Sequence, residues 1–247
     1  MAPEQHTKAD YGLDAPGVVV GSALGGAAAL AGAGIGWAAL RRRYRVPAAV
    51  LGGWLAAWGL VALAQAGLIL RSSRAGKPKQ RDRLLDALAW RGDERVLDVG
   101  CGRGLLLIGA AKRLTTGRAV GLDVWRSKDQ AGNDPAATMA NAQAEGVAER
   151  VELCDGDARQ LPFDDQSFDV VVSSLALHNI PGAGGRAAAV GEIVRVLKPG
   201  GRVAILDFRN TSQYAAALAA GGLGEVHRSR HRVGMYPPVR VVTATKP

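Results

Sequence analysis

The 247-residue chain has only two cysteines, Cys101 and Cys154, with no CxxC pair and no His/Cys cluster at metal-ligand spacing. A disulfide framework and a zinc site are therefore excluded, no metal is expected, and the thiols suit a reducing compartment. No GK[ST] follows a glycine cluster, which excludes a phosphate-binding loop of the triphosphatase kind. There is no internal repeat. The most informative absence is of charge: residues 17–40 and 47–70 contain no Asp, Glu, Lys or Arg.

Each uncharged run, as a helix rising about 1.5 Å per residue, reaches roughly 36 Å, enough to cross a bilayer. A signal peptide fits poorly, because residues 1–16 are net acidic, the first run is too long and a second comes after it. A buried core hairpin is the other reading, and runs of this length are hard to place inside so small a soluble domain. In the first run 15 of 24 residues are Gly or Ala, with Gly17, Gly21 and Gly25, then Gly32 and Gly36, at four-residue spacing that admits a close neighbour. The second run, through Gly52, Gly53, Ala56 and Gly59, is the expected partner, and its Leu and Trp make it the firmer anchor. The expectation is a two-helix transmembrane hairpin over 17–70, after an N-terminal tail at 1–16.

Charge bears on orientation. The net charge of +9 is concentrated: seven of the 31 basic residues lie at 71–91, opposed there by Asp82 and Asp86 alone. A basic juxtamembrane linker at 71–81 places the domain beyond it on the cytoplasmic side of a cell membrane, as part of a multi-pass protein. The connecting loop (Arg41, Arg42, Arg43, Arg45) is basic too and would face the other side, unless the hairpin is re-entrant.

From residue 82 the texture is that of a soluble domain. Residues 82–90 have apolar positions at helical spacing. Strand-like runs at 95–99, 118–122, 150–154, 168–173 and 201–206 then alternate with helical patterns near 104–114, 135–145, 184–197 and 211–220, before two more strand candidates at 225–233 and 239–245. Alternation of this kind predicts an α/β domain over 82–247: a Rossmann-like, seven-stranded, mostly parallel sheet with helices on both faces. Ligands of such sheets bind beyond the carboxyl ends of the strands.

The first strand runs into RVLDVGCGRG. The dinucleotide fingerprint needs a third glycine where Leu105 stands, so the spacing is D-x-G-x-G-x-G, from Asp98 through Gly100, Gly102 and Gly104. This stretch resembles the nucleotide-binding motif of class I S-adenosylmethionine-dependent methyltransferases. Three further stretches resemble the same family in order: VGLDV, ending just past Asp123; CDGDARQLPFDDQSFDVVVSS; and RVLKPGGRVAILDF, with its Pro-Gly-Gly turn before the fifth strand. The resemblance covers about residues 82–247.

It implies S-adenosyl-L-methionine as cofactor. The glycines would let its amino-acid and ribose parts lie against the chain. Asp123 would accept both ribose hydroxyls, Asp157 would meet the adenine amino group, and the Ala158 N–H a ring nitrogen. Asp98 either binds the ammonium or braces the loop, and Ser173 and Ser174 offer backbone contacts near the methionine end. Trp125 to Thr138 form a candidate cofactor lid, with Trp125 near adenine and Asn133 capping the helix at Pro135.

His178, in SSLALHNI beyond the fourth strand, is the catalytic candidate, a general base if the acceptor must lose a proton, with loop bracing as its alternative role. Asp207 and Tyr236 are possible lining residues, and His227 and His231 belong to a basic stretch at the surface. The subgroup resembled includes quinone-biosynthesis and other small-molecule methyltransferases. The expected partners are therefore a small or lipid-like methyl acceptor and the bilayer. Nucleic-acid or protein methylation is the alternative; no NPPY- or DPPY-like sequence comes after the fourth strand, which disfavours the usual amide or adenine N-methylation. A non-catalytic cofactor-binding module is the remaining reading.

Overall fold

A computed structural model describes residues 9–13, 16–126 and 132–247. The chain divides into two compact units, Leu13–Gly76 and a second formed by Met1–Gly12 with Lys77–Pro247.

The first unit is a helical hairpin, α1 (Pro16–Leu40) and α2 (Arg45–Arg71). Its inner face is built from small residues: Gly26, Ala29 and Ala33 on α1, and Ala48, Gly59, Ala62 and Ala66 on α2, with Ile69 the one large side chain. Its large apolar residues point outward, Trp54 at 74% exposure and Leu24, Trp58 and Val61 close behind. A soluble helix pair buries its large side chains and exposes polar ones. This pair does the reverse. Both helices are long and apolar enough to cross a membrane.

A single π-helical turn, Ser72–Gly76, connects α2 to α3 (Lys77–Asp86). The segment expected as a basic linker is thus helical, which suits its Lys, Arg and Gln content. The second unit starts at Lys77 rather than 82, and the helix predicted over 82–90 stops at Asp86, with Trp90 Nε1 donating to the Leu85 carbonyl at 2.7 Å. Nor is the tail separate: residues 9–12 belong to the second unit.

The second unit is a seven-stranded sheet of β1 (Arg95–Val99), β2 (Arg118–Asp123), β3 (Val151–Asp155), β4 (Phe168–Ser174), β5 (Leu197–Asp207), β6 (Gly224–Arg228) and β7 (Arg240–Thr245), in the order β3-β2-β1-β4-β5-β7-β6. All neighbours are parallel except those of β7. The continuous apolar runs of β1, β2 and β4 are what a strand covered on both faces requires. On one face α3, α4 (Leu105–Ala111) and α5 (Pro135–Ala144) pack; on the other lie α6 (Gly182–Val196) and α7 (Thr211–Ala220). The expected doubly covered Rossmann-like sheet is present, and its order reverses between β1 and β4, the point at which sheets of this kind bind their ligands.

Two edges differ from expectation. The Pro199-Gly200-Gly201 turn lies within β5, in an irregularity where the pairing jumps from Phe168↔Leu197 to Val170↔Arg202 and Gly200 takes φ 73°. Strand β6 stops at Arg228 instead of 233, and residues 229–239 form a loop closed by an Arg232–Val239 bridge.

Candidate active site

The glycine-rich loop leaves β1 and enters α4. Gly100, Gly102 and Gly104 all have positive φ, at 74°, 51° and 84°. At Gly100 the need is also steric, since a Cβ there would stand 2.2 Å from the Cβ of Ala176. The loop therefore lies directly against the turn after β4. It is tied to β2 through Gly100 N–H, which donates to the Leu122 carbonyl at 2.7 Å.

Asp98 lies beneath the loop, 2% exposed. Its Oδ2 accepts the Leu107 N–H at 2.9 Å, satisfying an otherwise unpaired amide in the first turn of α4. Its Oδ1 is buried with no partner. Burial, reinforced by the nearby Asp123 charge, pushes the Asp98 carboxyl up to about 8 despite the Leu107 bond. Asp98 thus braces the loop with one oxygen and keeps the other buried without a partner. Cys101, buried beside it against Gly121, has its thiol pushed well up by burial, so it is no nucleophile.

Asp123 ends β2 and is 8% exposed. Its Oδ2 accepts Gly102 N–H at 2.8 Å, while Oδ1 accepts Trp125 N–H at 2.8 Å and Asn133 Nδ2 at 3.2 Å. Three of roughly four acceptor positions of the carboxylate are filled, so a vicinal diol would have to displace the long Asn133 contact. Asn133 is not the cap of α5; that role belongs to Asp134, whose side chain accepts Ala136 N–H at 2.7 Å ahead of Pro135. An oxygen one residue later has the reach to the second amide of the helix. Trp125 is tied through Nε1 to Asp155. Residues 127–131 of the expected lid lie outside the described residues.

Asp157 and Ala158 come after β3. Arg159 grips the Asp157 carboxylate, Nη2 to Oδ2 at 2.6 Å, and holds it below the usual carboxylate range. At the end of β4, Ser173 is buried with Oγ on the Val99 carbonyl at 2.8 Å, and Ser174 is half-buried.

His178 sits on a short 3₁₀ turn, Leu177–Asn179, with its ring edge-on to Phe208 at 4.5 Å between centroids. Its Nδ1 is 3.0 Å from Oδ1 of Asp207, an ionic-contact distance, although the oxygen lies off the line of a straight hydrogen bond. Asp207, at the end of β5 and fully buried, also accepts Phe208 N–H at 2.8 Å and the Tyr214 hydroxyl at 3.2 Å. Burial, then the Asp207 charge, raises the Tyr214 phenol. The structure brings Asp98, the glycines, Asp123 and Ser173 to adjoining strand ends, and adds Asp207 as the partner of His178.

One contributor had no signal in the sequence. Asp10 exchanges bonds with Asn141 (N to Oδ1, 2.8 Å; Nδ2 to Asp10 O, 2.9 Å), and its carbonyl and carboxylate hold Arg103 at 2.7 and 2.9 Å. The N-terminal strap therefore fixes the residue between Gly102 and Gly104. Among the described residues no cluster of His, Cys, Asp and Glu could hold a metal.

This sheet, with acids at the ends of β1 and β2 and a glycine loop after β1, has the Rossmann-like fold of methyltransferases, and residues 97–205 match the family model described as a methyltransferase domain. Over 139 residues the chain is 37% identical to the chloroplastic 2-phytyl-1,4-beta-naphthoquinone methyltransferase of Arabidopsis thaliana, covering 55% of this chain and 51% of that protein. It is 38% identical over 128 residues to the ubiquinone/menaquinone biosynthesis C-methyltransferase of Dinoroseobacter shibae, covering 52% and 48%. The chain thus spans about half the length of the curated relatives it matches. The solved structure of the [4+2]-cyclase SpnF superposes with a TM-score of 0.57 at 20% identity, over 69% of this chain and 81% of that one. That likeness concerns the fold, and its bearer's name is a reminder that the fold alone does not fix a reaction.

S-adenosylmethionine is the cofactor of the class, and the residues present fit it. The buried, unpartnered Asp98 Oδ1 is an acceptor suited to a cationic donor.

Proposed function

We propose that this chain is a membrane-anchored methyltransferase that uses S-adenosylmethionine and methylates a lipid-soluble, quinone-type acceptor. The observation that carries the acceptor class is the inverted helix pair, small residues inside and large apolar ones outside, on the same chain as a methyltransferase domain. The names of the relatives, both quinone methyltransferases, agree with it.

In this reading Asp98 receives the cofactor's ammonium, Asp123 its ribose, and Asp157 with the Ala158 N–H its adenine; Gly100, Gly102, Gly104 and Ser174 line its path. The bound cofactor supplies an electrophilic methyl group. The domain's own task is then to hold the nucleophile in line and to take up a proton. For carbon methylation of a quinol ring, the hydroxyl proton passes to His178, which Asp207 orients through Nδ1. The ring carbon gains the methyl group from the sulfonium, which leaves as the neutral thioether, and then releases its own proton as His178 returns the first one to the ring oxygen, so that one proton leaves overall.

Two spans with the domain on the cytoplasmic side of the cell membrane is the favoured topology. Residues 9–12 belong to the same unit as the chain from Lys77 onward and are hydrogen-bonded within it, and one unit flanking the hairpin at both ends supports an even number of crossings. The test is transfer of labelled methyl groups by the full chain in vesicles carrying a demethylated isoprenoid quinol, against a water-soluble catechol. Label in the quinol is expected. A folded protein that binds S-adenosylhomocysteine yet labels only the catechol overturns the acceptor assignment.

A further inference from the structure

The loop between β6 and β7 belongs to the active-site edge of the sheet. Strand β7 is antiparallel to β5, and Asp207 pairs with Arg240, so residues 229–239 emerge beside the carboxyl ends where the site lies. The loop concentrates two features that rarely coincide on a soluble surface. Outside the hairpin, the exposed large apolar residues among those described are Val124, Val233 and Tyr236, and Val233 is the most open of all at 85%. Around Val233 and Tyr236 stand Arg228, Arg230, His231, Arg232 and Arg240, with no acid between 226 and 247.

Beside the loop is a cavity of about 540 Å³ lined by Gln80 and Arg83 of α3 and by His231, Arg232, Val233 and Gly234. Gln80 is 1% exposed, and its Nε2 is a buried donor with no partner. Gly234 permits the close approach, since a Cβ there would stand 2.6 Å from that nitrogen. Arg232 reaches Gln80 Oε1 at 3.4 Å, and Arg240 Nε is a second buried, unpartnered donor at the end of the same loop. Among the described residues, none of Arg83, Arg228, Arg230, Arg232 and Arg240 pairs with a carboxylate. The site is thus rich in donors and poor in acceptors, with an apolar tip.

We propose that the β6–β7 loop is a second membrane contact: Val233 and Tyr236 enter the interfacial layer, and the Gln80/Arg83/His231/Arg232 cavity takes the phosphate of an anionic lipid headgroup. Cations around an apolar wedge are the combination an anionic bilayer surface attracts. Docking of this loop turns the mouth of the site toward the bilayer, from which a lipid-soluble acceptor would enter. The inference rests on the membrane-anchored function proposed for the chain, and it adds that the catalytic unit itself, and not the hairpin alone, touches lipid.

The experiment uses the full chain with Val233→Cys carrying an environment-sensitive fluorophore, in a Cys154→Ser background because Cys101 is buried. The protein is placed in vesicles of phosphatidylcholine, with or without phosphatidylglycerol. The expected result is an apolar environment at 233 only when phosphatidylglycerol is present, reversed by salt. The ratio of docked to undocked loop should fall about thirtyfold in the Arg230→Gln/Arg232→Gln variant, at about fivefold per arginine removed. Hydrogen exchange of 229–239 in the unlabelled chain should show the same lipid dependence.

A label that stays in water in both vesicle types, with unprotected amides, overturns the proposal. So does a label that becomes buried on added RNA and not on lipid. Carbonate-resistant retention of the same protein reads the hairpin separately. Retention with a wet label sinks the loop contact alone, whereas release from the vesicles with a docked label sinks the anchor alone.

Discussion

Gly26 and Gly59 meet backbone to backbone: a Cβ built on either would stand 2.8 Å from the other's carbonyl oxygen. The two helices can be this close only where neither carries a side chain, and Ala29, Ala33, Ala62 and Ala66 extend the seam. Gly26→Leu or Gly59→Leu should therefore separate α1 from α2. The expected cost is about 1–3 kcal/mol of hairpin stability, as for other overpacked contacts. Trp54→Leu, on the outer surface, should cost far less. Thermal unfolding in detergent, read through a cross-link between α1 and α2, separates the two outcomes.

Asp98 gives a dependence on pH with a definite sign. Its carboxyl sits at about 8 in the folded chain against an ordinary 3.8, so between those values the folded protein holds a proton that the unfolded chain has lost. That contribution to the stability of the ligand-free protein is complete below about pH 3.8 and is lost as pH rises through 8. A cationic ligand favours the ionised carboxylate. The affinity for S-adenosylhomocysteine should accordingly climb from pH 6 toward 8, by at most about tenfold per unit. Asp98→Asn should flatten both trends, and calorimetric titration across that range is the check.

Asp123 carries two duties, and substitutions divide them. Its carboxylate holds Gly102, Trp125 and Asn133, so Asp123→Ala removes the loop's organiser together with the proposed ribose acceptor. Hydrogen bonds to a charged group contribute about 1.5–3 kcal/mol, which predicts a loss of roughly 10- to 100-fold in affinity for S-adenosylhomocysteine. Asn133→Ala, which removes only the competing donor, should leave affinity unchanged or improve it. A loss in Asn133→Ala equal to that in Asp123→Ala would mean that loop order, not ribose contact, is what Asp123 provides.

The range of each interaction decides whether the sequence reveals it. Strands β1, β2 and β4 announce themselves because both faces are buried and the apolar run is continuous. The glycines, Asp98 and Asp123 share one short stretch with the strands that carry them. The pairing of His178 with Asp207 joins residues 29 positions apart through strand order, and that of Asp10 with Arg103 spans 93; no local pattern encodes either. The first turns of α3, residues 77–81, were hidden by their charge, because Lys, Arg and Gln read as a linker while forming helix readily. The early stop of β6 reflects a loop closed by the Arg232–Val239 bridge, which propensity does not register.

The contact between His178 and Asp207 decides between a base and a brace. A bracing histidine could be replaced by any residue that fills the space between the 3₁₀ turn and Phe208. A base needs its Nδ1 held so that the other nitrogen faces the acceptor; the buried Asp207 carboxylate stands 3.0 Å from Nδ1 and would have to align with it to supply that restraint. His178→Gln should keep the affinity for S-adenosylhomocysteine and lower kcat by about 10²–10⁴, the usual share of general-base catalysis. Asp207→Asn preserves the acceptor for Phe208 N–H and removes the charge, so it should lower kcat less and displace the pH–rate profile. Tyr214→Phe, which takes only the hydroxyl from Asp207, controls for disturbance of the buried cluster. If His178→Gln costs thermal stability in proportion to activity, and Asp207→Asn leaves the pH profile in place, the histidine is a brace. The proton would then have to leave the acceptor by another route.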